Sequence, residues 1–227
     1  MLYLEERRLQ TKLKYCGNHS LQDVGIVSSS KADYIGFVFA ESKRKVSTES
    51  VSNWLKHVKH KRGKKIVALF VNATIMEIEE IILSVPIDII QCHGSETPDH
   101  VRQLHRRVEK PIWKVIHHKE NAWNEMKDYA PFVEAFIIDS KVKGQWGGTG
   151  VTFDWSHIPK YIEQGKILAK PVFIAGGINP SNIEQLLKYQ PEGIDISSGI
   201  EVNGLKDKAM INQIEERIKQ NDRKISR

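Results

Sequence analysis

The stretch PVFIAGGINPSNIEQLLKYQPEGIDISSG, residues 171–199, contains one complete copy of the unit from which this chain is built. The apolar run PVFIAG at 171–176 leads into Gly177, and Asn179, Pro180 and Ser181 then precede NIEQLLKY. In that segment Ile183, Leu186 and Leu187 recur at helical spacing, and a second apolar run, GIDISS at 193–198, follows. The reading is strand, turn, helix, strand. Short runs without polar alternation fit parallel strands covered on both faces, and proline fits a first helical turn.

Outward from this unit the alternation continues. Six further runs are LKYC (13–16), YIGFVF (34–39), IVALFV (66–71), IDIIQC (87–92), IWKVIH (112–117) and AFIIDS (135–140). The segments between them have helical character: Ser47, Thr48 and Glu49 precede a stripe of Val51, Trp54, Leu55 and Val58, and the last helix is marked by Met210, Ile211, Ile214 and Ile218. Eight strands alternating with helices in 227 residues predict a protein of the α/β class, a single (β/α)8 TIM barrel over residues 1–227. Residues 1–11 read as an N-terminal extension, and KVKGQWGGTGVTFDW at 141–155 as a long glycine-rich loop.

Composition narrows the possible functions. A chain with 40% hydrophobic and 27% charged residues is that of a soluble globular protein. Cys16 and Cys92 are too few for a disulfide framework and suit a reducing compartment. With no signal-peptide core and no apolar run of membrane-spanning length, the expected location is cytoplasmic, with no membrane partner. The net charge of +6 suits an anionic metabolite or a nucleic acid. The densest basic run, KHVKHKRGKK at 56–65, falls at a helix end, where cations complement the dipole, and carries no nucleic-acid-binding motif. A small anionic ligand is therefore expected and a nucleic acid is not. Monomer and homodimer both remain open.

In such a barrel the loops leaving the C-terminal ends of the strands share one face. Gly176 and Gly177 after strand seven, with Ser197, Ser198 and Gly199 after strand eight, form the clearest feature there. Glycine lets the backbone approach a ligand, and a helix beginning near Pro180 would present free N–H groups, so phosphate is the natural occupant. Cys16 and Asp139, both at strand ends, are the candidate proton-transfer pair. A thiol serves as a base when cations such as Arg44 lower its pKa, and a carboxylic acid is kept protonated by an apolar or like-charged setting, to which Asp195 can contribute. Arg44 can engage a substrate carboxylate and His93 can line the same mouth. Cys92, His93 and Glu96 have no second ligand cluster, so no metal is expected, and the chain carries neither a dinucleotide-binding fingerprint nor a P-loop.

The blocks LKYCG, DYIGFVFAESKRKV, DIIQCHGSE, IIDSKVKGQWGGTGVTFDW, FIAGGINPSNI and EGIDISSGIEVNGLKD, in this order, resemble the phosphoribosylanthranilate isomerase family of tryptophan biosynthesis. The resemblance covers almost the whole chain from Leu13 onward. It implies a (β/α)8 barrel that uses no cofactor and a small phosphosugar as substrate. The implied general base is Cys16 and the general acid Asp139, with Arg44 placing the anthranilate, His93 from loop four, Asp195 near the sugar, and Gly176, Gly177, Ser198 and Gly199 on the phosphate. The loop through Gly147, Gly148, Thr149 and Gly150 resembles a segment that closes over the ligand. Cys92 stands where the family commonly has leucine, which predicts a second thiol near the mouth. The rival readings are an isomerase of a related aminoaldose phosphate and a non-catalytic phosphometabolite-binding protein.

Overall fold

The computed structural model describes residues 11–58, 63–140 and 152–225. Eight parallel strands close into one barrel: β1 (Lys12–Tyr15), β2 (Tyr34–Val38), β3 (Lys65–Phe70), β4 (Ile89–Cys92), β5 (Ile112–His117), β6 (Ala135–Asp139), β7 (Val172–Ile174) and β8 (Gly193–Ile196). They lie in sequence order and β8 pairs back onto β1. Each apolar run read from the sequence is one of these strands. The expected N-terminal extension falls outside the described residues except for Thr11, which is buried.

Among the described residues eight α-helices surround the barrel: α1 (Leu21–Ser29), α2 (Thr48–His57), α3 (Ile75–Ser84), α4 (Pro98–Arg107), α5 (Met126–Tyr129), α6 (Ile158–Leu168), α7 (Ile183–Leu187) and α8 (Lys208–Ile225). The first four begin at Ser20, Ser47, Thr74 and Thr97, whose hydroxyls accept a backbone N–H of the first turn. The basic end of α2 places Lys56 and His57 in its last turn, as the dipole favours. Ile211, Ile214 and Ile218 of α8 are fully buried, at about 1.5–3 kcal/mol each. Among the described residues no helix is long and apolar enough to cross a membrane.

Strand alternation separates two apolar layers. One face, including Leu13, Tyr15, Phe37, Ile90 and Phe136, packs against the helices. The other, including Val67, Ile89, Val115 and Ile137, fills the barrel. Tyr34, Trp113 and Phe173 form a contiguous aromatic cluster in that interior, with ring centroids 4.8, 5.7 and 4.7 Å apart. Toward the C-terminal ends of the strands the inward residues are the smaller Cys16, Val38 and Leu69. Cys92 belongs with Ile90 to the helix-facing layer. Its thiol is therefore not at the mouth, and burial, aided by the charge of Glu96, pushes it up to about 12.

A short antiparallel hairpin, β9 (Glu201–Val202) and β10 (Leu205–Lys206), follows β8 and was not among the expected elements. Its turn residues Asn203 and Gly204 have φ of 52° and 82°. Two consecutive left-handed residues are what a tight two-residue hairpin turn requires, and Asn-Gly is the pair best suited to supply them.

Candidate active site

A cavity of about 420 Å³ opens where the strands end, and its wall includes Cys16, Arg44, His93, Asp139, Gly176, Gly177, Asp195, Ser198 and Gly199. These are all nine positions picked from the sequence, contributed by strands or loops from six parts of the chain. The glycine-rich loop at 147–150 lies outside the described residues.

Cys16 directly follows β1, and its N–H donates to the Ile196 carbonyl of the adjoining strand. A Cβ added to Gly36 on β2 would stand 2.7 Å from the Cys16 sulfur, so the glycine makes room for the thiol. The ionisation of this thiol is set by burial and by several charges at once. Burial pushes it up, the charge of Lys14 opposes that, Asp195 adds to it, and Lys206 gives a smaller downward pull; the balance remains raised. Arg44, the cation expected to act on it, is engaged elsewhere. Asp195, expected as a like charge for Asp139, has its Oδ2 held by the Lys14 ammonium at 2.9 Å.

Asp139 ends β6 and is 3% exposed. His93 Nε2 lies 3.2 Å from its Oδ2, close enough for an ion pair but without the alignment of a good hydrogen bond. The other ring nitrogen, Nδ1, is 3.0 Å from the Gln91 amide nitrogen. With that amide donating, Nδ1 is the acceptor, and the proton of a neutral imidazole resides on Nε2, toward Asp139. His117, next to Asp139 across the β5–β6 pairing, has Nε2 2.9 Å from the His93 carbonyl.

Burial and the neighbouring His93 push His117 down to about 4 from its ordinary 6.5. Between those values the unfolded chain takes up a proton that the folded one refuses, so this residue's contribution is present above pH 6.5 and is lost as pH falls toward 4. His117→Gln retains a donor toward His93 and should lose less thermal stability than the parent across that window. Equal losses in thermal unfolding at the two pH values would contradict the assignment.

The loops after β7 and β8 are built on close backbone approach. Gly176 and Gly177 have φ of 85° and 63°. A Cβ on Gly176 would meet Asp139 Oδ1 at 2.8 Å, and one on Gly199 would lie 1.7 Å from the Ile178 carbonyl oxygen. The helix expected from Pro180 starts later, at Ile183. Asn179 N–H donates to the Asn182 side chain, Ser181 N–H to the Asn179 side chain, and the N–H groups of Asn182 and Ile183 to the Asn179 carbonyl. Those four donors are spent within the turn. The 3-10 turn Ser198–Ile200 is the better anion cradle, because the first N–H groups of such a turn have no acceptor inside it.

Arg44 is 6% exposed, and its Nε and Nη2 donate to the two Glu201 oxygens at 2.8 and 2.6 Å. That edge of the guanidinium is already used, so a substrate carboxylate can meet only the remaining edge. Lys206 Nζ donates to Glu201 Oε1 at 2.8 Å and to the Ser197 carbonyl at 3.0 Å. Glu201 is held below the usual carboxylate range: burial works against ionisation, and Arg44 and Lys206 outweigh it. Glu201, Lys206, Lys14 and Gln91 were not picked from the sequence. The hairpin that carries the first two has a readable signal in Val202-Asn203-Gly204-Leu205, a turn pair between apolar residues.

The chain matches the family described as PRAI, N-(5'-phosphoribosyl)anthranilate (PRA) isomerase, over residues 13–217. It is 53% identical over 219 residues to the N-(5'-phosphoribosyl)anthranilate isomerase of Halalkalibacterium halodurans, covering 96% of this chain and 100% of that one. Its fold is similar to the crystal structure of phosphoribosyl anthranilate isomerase from Thermotoga maritima, at a TM-score of 0.80 and 27% identity, covering 92% and 99% of the two chains. It is similar also to a phosphoribosyl anthranilate isomerase in complex with reduced 1-(o-carboxyphenylamino)-1-deoxyribulose 5-phosphate, at a TM-score of 0.77 and 26% identity, with the same coverage. Barrel, strand-end cavity and matched sequence thus agree over nearly the whole chain, which belongs to the N-(5'-phosphoribosyl)anthranilate isomerase family.

Proposed function

We propose that this isomerase converts N-(5'-phosphoribosyl)anthranilate to 1-(o-carboxyphenylamino)-1-deoxyribulose 5-phosphate by an Amadori rearrangement, with Cys16 as general base and Asp139 as general acid. The observation that carries the reading is the convergence of both groups with the two glycine-rich loops on one cavity wall. A relative binds the reduced form of this product.

Asp139 donates its proton to the furanose ring oxygen. The C1–O bond breaks, and the nitrogen lone pair forms the C1=N iminium. The Cys16 thiolate removes the proton from C2, and the released pair forms C1=C2 while the C1=N electrons return to nitrogen, giving the enolamine. Loss of the proton from the C2 hydroxyl and protonation at C1 then give the ketone. The substrate's own iminium accepts the electrons, so the chemistry has no need of another sink. Phosphate held by Gly177, Ser198 and Gly199 orients the sugar, which converts modest acid-base groups into effective ones. Asp195 Oδ1, which has no partner among the described residues, accepts from a sugar hydroxyl. The anthranilate ring lies against the apolar wall of Val38, Leu69 and Val71, with its carboxylate on the free edge of Arg44. Two free, buried thiols suit a cytoplasmic setting.

Steady-state turnover of freshly generated N-(5'-phosphoribosyl)anthranilate by purified protein tests this reading. Rapid formation of the ketose product is expected. No turnover, or faster isomerisation of a different aminoaldose phosphate, would reject it.

Glu201 fixes how much of Arg44 the substrate meets. Glu201→Gln removes a charged acceptor shared by two buried cations, and should lower stability by about 1.5–3 kcal/mol and raise KM more than it lowers kcat. An unchanged denaturation midpoint together with an unchanged KM would reject the role given to this pair.

A further inference from the structure

Lys14 is a lysine inside a barrel. Leu13 and Tyr15 on either side pack outward against the helices, so the alternation of β1 turns Lys14 and Cys16 to the same inward face. Lys14 is 0% exposed. An ammonium removed from water is destabilising by several kcal/mol unless it is paired, and a methionine of similar length would fill the space without that penalty. Structural need alone does not account for a charge at this position.

What surrounds the ammonium is informative. Lys14 and Asp195 are register partners across β1 and β8, and Nζ donates to Asp195 Oδ2 at 2.9 Å. Burial favours the neutral amine, yet Asp195 and Cys16 together keep the group protonated, with its pKa raised. Cys16 lies two residues further along the same strand face, nearer the mouth. Of the charges acting on its sulfur, Lys14 is the strongest that favours the thiolate. Arg44 is occupied by Glu201, and Lys206 is shared between Glu201 and the Ser197 carbonyl.

We propose that Lys14 is the positioning residue that supports the Cys16 thiolate in the barrel interior, with Asp195, its ion-pair partner across β1 and β8, tempering that support. Lys14 lies behind the base rather than on the substrate, so it acts through Cys16. This inference rests on the reading of Cys16 as the general base. It adds a division of labour: burial makes the sulfur a strong base once ionised, and Lys14 offsets part of the cost of ionising it.

The test uses the full chain carrying Cys92→Ala, which leaves one thiol. Its alkylation by iodoacetamide is followed against pH by mass spectrometry, since only the thiolate reacts. Lys14→Met should move the alkylation midpoint upward and slow the reaction at pH 8 by about tenfold or more, equivalent to one pKa unit. It should also lower kcat with little change in KM, and Lys14→Arg should restore part of both losses. Asp195→Asn, which keeps the ammonium and removes its counter-charge, should move the midpoint the opposite way, downward. That second variant keeps the idea testable if Lys14→Met does not fold.

An unmoved midpoint in Lys14→Met, or an upward shift in Asp195→Asn, overturns the proposal. Near-normal turnover by Cys16→Ala would instead remove the general-base reading while leaving the measured coupling between Lys14 and Cys16 intact, so the two failures are distinguishable.

Discussion

Cys16→Ala is expected to lower kcat by about two to four orders of magnitude, the usual contribution of a positioned acid or base, while the protein remains folded. The side chain is small and borders a cavity, so its truncation disturbs little packing. Asp139→Asn, nearly isosteric, should produce a loss of the same order, because the amide cannot supply the proton that opens the ring. The double variant should be little worse than either single one, since base and acid serve one sequence of steps. Steady-state kinetics on the three proteins, with circular dichroism to verify folding, decide the matter. Near-parental kcat in both single variants would remove the proton-transfer assignment.

Gly199→Ala should have the second large effect, through binding rather than chemistry. The added methyl would overlap the Ile178 carbonyl oxygen at 1.7 Å, a backbone atom that no side-chain rotation can move aside. The loops after β7 and β8 must therefore separate, at about 1–3 kcal/mol of overpacking strain. Separation takes the Ser198 and Gly199 N–H groups out of register with a phosphate. Loss of one charge-assisted bond at about 1.5–3 kcal/mol should raise KM on the order of tenfold to a hundredfold. A KM within a factor of about two of the parent's, in a folded protein, would place the phosphate elsewhere.

The barrel was legible because parallel strands are covered on both faces and appear in sequence as uninterrupted apolar runs. PVFIAG and GIDISS declare themselves in that way. That the nine picked positions share one cavity was legible for a related reason: residues that interrupt or end such runs lie at the rim that the loops share. The support beneath them was not. In LKYC, Lys14 looks like any lysine at the start of a strand, and its ion pair with Asp195 depends on register against β8, which no local pattern encodes. The start of α7 was misplaced because Asn179 and Asn182 satisfy backbone groups with their own side chains, delaying the helix to Ile183. The charge balance of Cys16 was not legible, since the burial that raises its pKa and the Lys14 ammonium that opposes it both depend on packing the sequence does not display.

The Asn203-Gly204 turn has a consequence for how this site can vary in evolution. Side chains on a strand alternate, so one residue gained or lost between Val202 and Leu205 would exchange the faces of everything after it. Glu201 and Lys206 would then cease to be neighbours, and Arg44 would lose the company that orients it. Spacing at this corner is thus as binding a specification as residue identity, and insertions there should be far less permissible than at an ordinary surface loop.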